Sequence, residues 1–350
     1  MTTEKKIFVN QLQEGQSVAD IFLVKDMSRA ETRSGSPYLM LTLMDRSGEI
    51  AGRLWENADA FLDVCAPGNL VQINGQAQAY RGSLQLKVDM ARQVDEKETD
   101  IGLFLQSSAK NIGAMAGEIT SLAETVQDPF YRQLLRKLLR DSSFAADFHR
   151  APAAKSMHHA YLGGLLEHTL AVTQLAAMVC SFYPHLDRDL LLAGALLHDI
   201  GKTRELSFQA YPFDYTDRGR LVGHLVLGVE IIQDAVNAIP DFPPDHFTRL
   251  QHLILSHHGR HEFGSPTLPM FSEAFVLNFI DDLDAKLNYL ARLETQAPEP
   301  GYQWTDFQRT LERFIYIKGR PQIEEGDSAA DPDEDKEDGG ETNSRQQHLF

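Results

Sequence analysis

Twelve of the thirteen histidines in this 350-residue chain fall between His149 and His261. One of them ends an unbroken apolar run: Leu190-Leu191-Leu192-Ala193-Gly194-Ala195-Leu196-Leu197 leads directly into His198-Asp199-Ile200-Gly201-Lys202. The run reads as a buried helix, with Gly201 as its C-cap. An imidazole and a carboxylate at the end of a buried helix are costly unless something compensates them. A divalent metal compensates both, and one carboxylate can bridge two ions. The fold must therefore bring further ligands to this helix end, and the remaining histidines are the material for it.

Composition narrows the class. With 43% hydrophobic and 24% charged residues the chain can bury real cores, and its length suits two domains. Collagen-like, disulfide-scaffold and wholly disordered classes are excluded. Cys65 and Cys180 form no metal or redox spacing, which fits a reducing cytoplasm. No apolar h-region follows Met1–Lys6, and Leu190–Leu197 is far short of the roughly 20 residues a membrane span needs. The net charge is −17, but ten acidic residues against one lysine lie between Glu324 and Glu341, so nine of those charges sit in one segment. An acidic total does not exclude a nucleic-acid partner, because affinity depends on a local basic patch.

Four regions follow. Residues 1–95 give five strand candidates rich in β-branched and aromatic residues: Ser17–Lys25, Tyr38–Asp45, Glu49–Trp55, Leu70–Tyr80 and Ser83–Val94. A short helix candidate, Glu56–Val64, lies between the third and fourth. Residues 96–145 read as a helical linker, with helices over Ile101–Val126 and Pro129–Leu139. Residues 146–320 read as a helical, histidine-rich domain. Residues 321–350 have almost no apolar side chains before the terminus and read as a disordered acidic tail.

Five strands with a helix after the third match the partly open five-stranded OB barrel. The phrase Tyr38–Gly48 followed by Glu49–Trp55 resembles the nucleic-acid-binding OB domains of the anticodon-binding type. Such a face stacks bases on aromatics beside a basic groove. The candidates are Phe22, Tyr38, Trp55 and Tyr80, with Lys25, Arg29, Arg33, Arg53, Arg81 and Lys87. Residues 1–95 hold 10 basic against 12 acidic side chains, so binding requires a one-sided arrangement of the cations.

Upstream of the His-Asp pair stands His158-His159-Ala160-Tyr161-Leu162-Gly163-Gly164-Leu165-Leu166-Glu167-His168-Thr169. Downstream come Gly223-His224-Leu225, Ser256-His257-His258-Gly259 and Ile280-Asp281-Asp282-Leu283-Asp284-Ala285-Lys286. The order His, His-Asp, His, His-His, Asp resembles the HD phosphohydrolase superfamily over residues 155–290. Joined to an OB domain, the same phrases resemble the YhaM-type 3′–5′ exoribonucleases. That resemblance implies that His168, His198, Asp199 and Asp281 form the metal-ligand core, that His224, His257 and His258 add the ligands of a binuclear centre, and that Asp199 bridges. It implies Asp281, rather than Asp284, as the ligand of the Asp-x-x-Asp-Ala phrase. It implies two divalent ions, manganese first, with iron, cobalt, nickel or zinc compatible with the same donors. Two such ions clamp phosphoryl oxygens for in-line attack. Lys202 is placed to neutralise developing negative charge, and Lys155, His158, His159 and Arg218 are the phosphate-contact candidates.

The expected activity is 3′–5′ hydrolysis of single-stranded RNA, with DNA open as a substrate. A small-nucleotide phosphohydrolase with a regulatory OB domain and a non-catalytic nucleic-acid adaptor are the alternatives. The final residues, Gln346-Gln347-His348-Leu349-Phe350, resemble the pentapeptide by which bacterial proteins dock on the replication sliding clamp, with Gln346, Leu349 and Phe350 as the contacts.

Overall fold

The computed structural model describes residues 5–32, 34–80, 83–95, 99–155, 159–208, 213–295, 297 and 300–319. Arg33, Arg81, His158 and the terminal Gln346, Leu349 and Phe350 lie outside the described residues, as does the acidic tail.

The N-terminal strands are β1 (Ser17–Glu31), β2 (Pro37–Asp45), β3 (Gly48–Leu54), β4 (Leu70–Tyr80) and β5 (Ser83–Val94). They close into a barrel in the order β1-β2-β3-β5-β4, with β3 and β5 parallel and the other pairs antiparallel. The expected barrel is thus present, but closed rather than partly open. β1 runs six residues beyond its expected end at Lys25, because a bulge at Val24/Asp26 lets it bend and continue pairing with β2. The expected helix after β3 is a single 3₁₀ turn, Ala58–Phe61.

β1 breaks the alternation of a half-buried strand. Asp20 to Val24 are all buried. Val18, Phe22 and Val24 point into the barrel core. Ile21 and Leu23 join Met44, Leu70 and Val94 in a second core that continues through Phe104 and Leu105 into the helices. Both faces of β1 are therefore spent on packing.

The helices are α1 (Ile112–Glu124), α2 (Pro129–Arg140), α3 (Ser142–Arg150), α4 (Gly164–Phe182), α5 (Arg188–Leu197), α6 (Lys202–Glu205), α7 (Asp217–Val222), α8 (His224–Asn237), α9 (Pro244–Ser256) and α10 (Ser272–Thr295). Their starts obey capping chemistry. Asn111, Asp128, Asp141 and Asp187 each accept a hydrogen bond from a backbone N–H of the first turn, and Pro129 opens α2. α4 is the one described helix long and apolar enough to cross a membrane by length and composition, and half of that stretch is buried within the protein. Small antiparallel pairs join Leu206–Ser207 (β6) to Asp214–Tyr215 (β7), and Gly301–Trp304 (β8) to Tyr316–Gly319 (β9). The β8–β9 hairpin lies where the sequence reads as helical domain.

The chain divides into two compact units, residues 1–291 and 292–350. The barrel and the helices that carry the histidines belong to the first.

Candidate metal centre

Six helix ends or faces supply the site. His168 lies in the first turns of α4. His198 and Asp199 follow the last residue of α5, and Lys202 opens α6. His224 opens α8, and His257 and His258 follow α9. Asp281 and Asp284 project from the middle of α10.

His198 and His257 use the same local device. Each caps a helix, and each donates its Nδ1–H to the carbonyl three residues back: Ala195 O for His198 and Ile254 O for His257, both at 2.8 Å. These carbonyls are among those a helix leaves unpaired at its C-terminus. His258 Nδ1–H donates to Phe263 O at 2.8 Å. His224 Nδ1–H donates to Glu205 Oε1 at 3.0 Å, and His168 Nδ1–H to Asp284 Oδ2 at 2.7 Å. Carbonyls and carboxylates only accept, so each of the five rings spends its Nδ1 proton outward and turns Nε2 inward.

Gly201 brings the two halves of the site together. Its φ is −61°, so it is not a left-handed C-cap as the sequence suggested. Its requirement is space: a Cβ there would sit 2.0 Å from His224 O and 2.6 Å from Gly228 N. The turn after His198-Asp199 thus crosses α8 backbone to backbone, which sets His224 beside Asp199.

The inward atoms fall into two groups that share Asp199. Asp199 Oδ2 lies 3.5 Å from both His168 Nε2 and His198 Nε2, while Asp281 Oδ1 lies 3.1 Å from His168 Nε2 and 3.7 Å from His198 Nε2. Asp199 Oδ1 lies 3.5 Å from His224 Nε2 and 3.6 Å from His257 Nε2, with His258 Nε2 3.3 Å from His224 Nε2. The ligand sets His168/His198/Asp281 and Asp199/His224/His257/His258 each converge closely enough to hold an ion. Asp199 Oδ1 and His257 Nε2 are buried and have no hydrogen-bond partner. Orphaned buried acceptors of this kind are costly in a protein interior and are what a cation satisfies. The donor set of imidazoles and carboxylates fits a divalent transition ion.

The electrostatics agree. Burial works against the charged form of Asp199, but Lys202 and His198 outweigh it and hold its carboxyl well below the usual range. Burial likewise opposes charge on Asp281, and the His168 ring at its carboxylate, with His198 beside it, holds it low. His168 is raised to about 9, with Asp281 and Asp284 overcoming its burial. His258 is pushed down to about 3 by burial and by His257 and His224 beside it.

Lys202 is buried, with Nζ 2.5 Å from Asp199 Oδ2. Asp284 stands behind His168 rather than among the inward atoms. It also meets His159 Nε2 at 3.1 Å, and His159 Nδ1 lies 2.8 Å from the Tyr161 hydroxyl, which donates to Glu167 Oε2 at 2.9 Å. Asn288 Oδ1 accepts from His159 N at 3.0 Å. His159 holds a left-handed backbone, φ 47°, and is buried. Both of its ring nitrogens are engaged, at Asp284 and at the Tyr161 hydroxyl, so it would meet a substrate phosphate only by leaving them. Lys155 and Arg218 are exposed and ion-paired with Asp214 and Glu230. The residues that sequence reasoning missed are Asp284 and Glu205 as partners of ligand rings, and Tyr161, Glu167 and Asn288 behind them.

On the barrel, Tyr38 and Trp55 stack with centroids 4.5 Å apart and planes 23° apart, and Trp55 is 45% exposed. Met40, Arg53 and Lys87 are register neighbours across β2, β3 and β5 on the same outer face. Tyr80 is 56% exposed at the end of β4. Lys25 pairs with Glu49, and Lys87 with Asp89. Phe22 does not belong to this face: it is fully buried in the barrel core, under Lys5 Nζ at 3.9 Å.

Comparison with known proteins agrees with this architecture. A family model described as HD domain matches residues 165–286, and one described as OB-fold nucleic acid binding domain matches residues 23–93. A third, of the TraI_2 family, matches residues 113–185. The fold and site thus define an HD-domain hydrolase carrying an N-terminal OB domain. The 3′–5′ exoribonuclease YhaM of Bacillus subtilis is 36% identical over 305 residues, covering 87% of this chain and 95% of that protein, and that of Geobacillus sp. is 35% identical over 87% and 92%. The chain belongs to the family of the 3′–5′ exoribonuclease YhaM. Among solved structures, the second OB-fold domain of replication protein A from Methanococcus maripaludis covers 25% of this chain and 94% of its own, at 19% identity and a TM-score of 0.22.

Proposed function

We propose that the chain is a metal-dependent 3′–5′ exonuclease of single-stranded RNA. The observation that carries the reading is the split of Asp199, whose two carboxylate oxygens each face a separate group of imidazole nitrogens. The YhaM relatives supply the direction and substrate of the reaction.

His168, His198 and Asp281 would hold one ion, His224, His257 and His258 a second, and Asp199 both; manganese is the first candidate. Bound divalent ions supply Lewis-acid polarisation of phosphoryl oxygens and a water activated near neutral pH. The chain's own residues do the rest. The five outward hydrogen bonds hold the rings in one tautomer and orientation. Lys202 sets its ammonium beside Asp199, where it offsets negative charge that develops on the phosphoryl group. Tyr38, Trp55 and Tyr80 offer stacking surfaces, with Arg53 and Lys87 for phosphates. Lys155 and Arg218 would reach substrate only by leaving Asp214 and Glu230.

In domain terms, residues 1–95 capture the strand, 96–145 connect, and 146–320 cleave. We place the enzyme in the cytoplasm, consistent with its free buried cysteines and an RNA substrate. Docking of Gln346, Leu349 and Phe350 on a sliding clamp is a proposed partner interaction.

The test is a digestion time course with manganese on 5′-labelled single-stranded RNA and DNA of equal length, beside Asp199→Ala. A ladder shortening from the 3′ end on RNA, absent in the variant, is the expected result. Shortening of DNA alone moves the substrate, and equal activity in Asp199→Ala overturns the reading.

A further inference from the structure

The β8–β9 hairpin shows two different faces. Ile317 on one face is buried. The other face carries Tyr302, Trp304, Tyr316 and Lys318, set opposite one another by the register Tyr302↔Lys318 and Trp304↔Tyr316. Its aromatics are exposed: Tyr302 65%, Trp304 68% and Tyr316 56%. They are also ordered among themselves. Tyr302 and Tyr316 stack with centroids 5.3 Å apart and planes 21° apart, and Trp304 lies 4.9 Å from Tyr316. Lys318 Nζ stands 5.8 Å from the Tyr302 ring. In the loop that joins the two strands, Phe307 and Phe314 pair edge to face, with Arg309 and Arg313 between them in sequence.

Three exposed aromatics clustered on one face, with a further exposed pair in the adjoining loop, are unusual on a folded surface and mark an interaction site. Its chemistry points to the partner. The face holds flat rings and a cation, with no aliphatic side chain and no acid on it; the hairpin as a whole carries three cations, Arg309, Arg313 and Lys318, against two acids, Asp306 and Glu312. Rings that present π-faces beside side-chain cations are the means by which sheet surfaces hold single-stranded nucleic acid, two or three bases at a time.

We infer that the β8–β9 hairpin is a second single-strand binding surface, separate from the barrel, on which Tyr302, Trp304 and Tyr316 stack bases and Lys318 meets the phosphate backbone. The inference rests on the reading that the substrate is a single strand.

The chain has two tryptophans, Trp55 on the barrel and Trp304 on the hairpin, so each surface has its own reporter. Trp55→Phe leaves Trp304 as the emitter, and Trp304→Phe leaves Trp55. Full-length protein of each kind is titrated with an unstructured oligouridine in EDTA, which prevents shortening. The expected result is saturable quenching of Trp304, with half-saturation raised about 10-fold by Tyr302→Ala or Tyr316→Ala in the Trp55→Phe background. Lys318→Gln, which keeps the fold's exposed polar stem, should lower the slope of log affinity against log salt by about 0.7. Quenching of Trp55 with Trp304 unmoved overturns the hairpin surface and leaves the substrate reading standing. Neither tryptophan responding overturns both. A Trp304 emission that shifts with protein concentration alone, alongside a doubled mass by light scattering, makes the hairpin an interface between copies and also overturns the inference.

Discussion

The Nε2 atoms of His168 and His198 face each other at 3.1 Å, while both rings commit Nδ1–H to acceptors outside the site. Two lone pairs at that separation repel unless a cation or a proton lies with them. The carboxylates of Asp281 and Asp284 make His168 the ring that takes the proton, which is why it is raised to about 9. A metal ion held by His168 and His198 would take the place of that proton and satisfy both rings.

Metal should therefore stabilise the fold and not only the reaction. At a hundredfold excess over Kd, one bound ion contributes about 2.7 kcal/mol. Thermal melts with and without manganese should differ by several degrees. Asp199→Ala, which removes the residue common to both groups, should abolish most of that shift. A melt indifferent to every divalent ion would sink the metal assignment.

Asp281 and Asp284 should separate by their response to excess metal. Asp281→Asn removes an inward oxygen, so activity should be lost at all manganese concentrations. Asp284→Asn loosens only the ring of His168, so metal affinity should fall about 10–100-fold and activity return as manganese is raised. Titration calorimetry gives the affinities directly. Identical behaviour of the two variants would refute their separate roles.

Trp55→Ala should act on binding rather than chemistry. Its ring is partly exposed and stacked on Tyr38, so the barrel should keep its stability. Loss of one stacking surface should weaken single-strand affinity by about 1–3 kcal/mol, seen as a raised KM with kcat nearly unchanged. A variant that binds RNA as well as the parent would remove Trp55 from the interface.

Gly201→Ala and Gly117→Ala form a matched pair. At Gly201 the new methyl meets His224 O at 2.0 Å, and the crossing with α8 must open. The cost should be about 3 kcal/mol in urea unfolding, at the upper end for overpacking, with weakened metal binding. At Gly117, exposed on α1, nothing lies within 4 Å, so alanine should stabilise by about 0.5–1 kcal/mol. Equal effects at the two positions would contradict the close approach.

The histidines and aspartates that converge here were legible in the sequence as metal-ligand candidates, because few residue types bind metal and helices space them in recognisable phrases. The residues behind them were not. Asp284 and Glu205 are ordinary acids on helices, and only the fold puts them against ligand rings. Phe22 and Trp55 are both strand aromatics, yet one fills the barrel and the other faces out. The usual alternation gives little guidance in β1, where Asp20 to Val24 are all buried. The β8–β9 strands are four residues each, too short for a period to show, so a hairpin was read as part of a helical domain.

That double use of β1 has a mechanical result. With Phe22 in one core and Ile21 and Leu23 in the other, the barrel cannot swivel without prising the helical core apart. A strand held on the barrel, as proposed above, would keep a set distance from the histidines. Under the proposed activity, digestion becomes a ruler: once the remaining strand is too short to touch both ends, it is let go, and the last product is an oligomer of defined size.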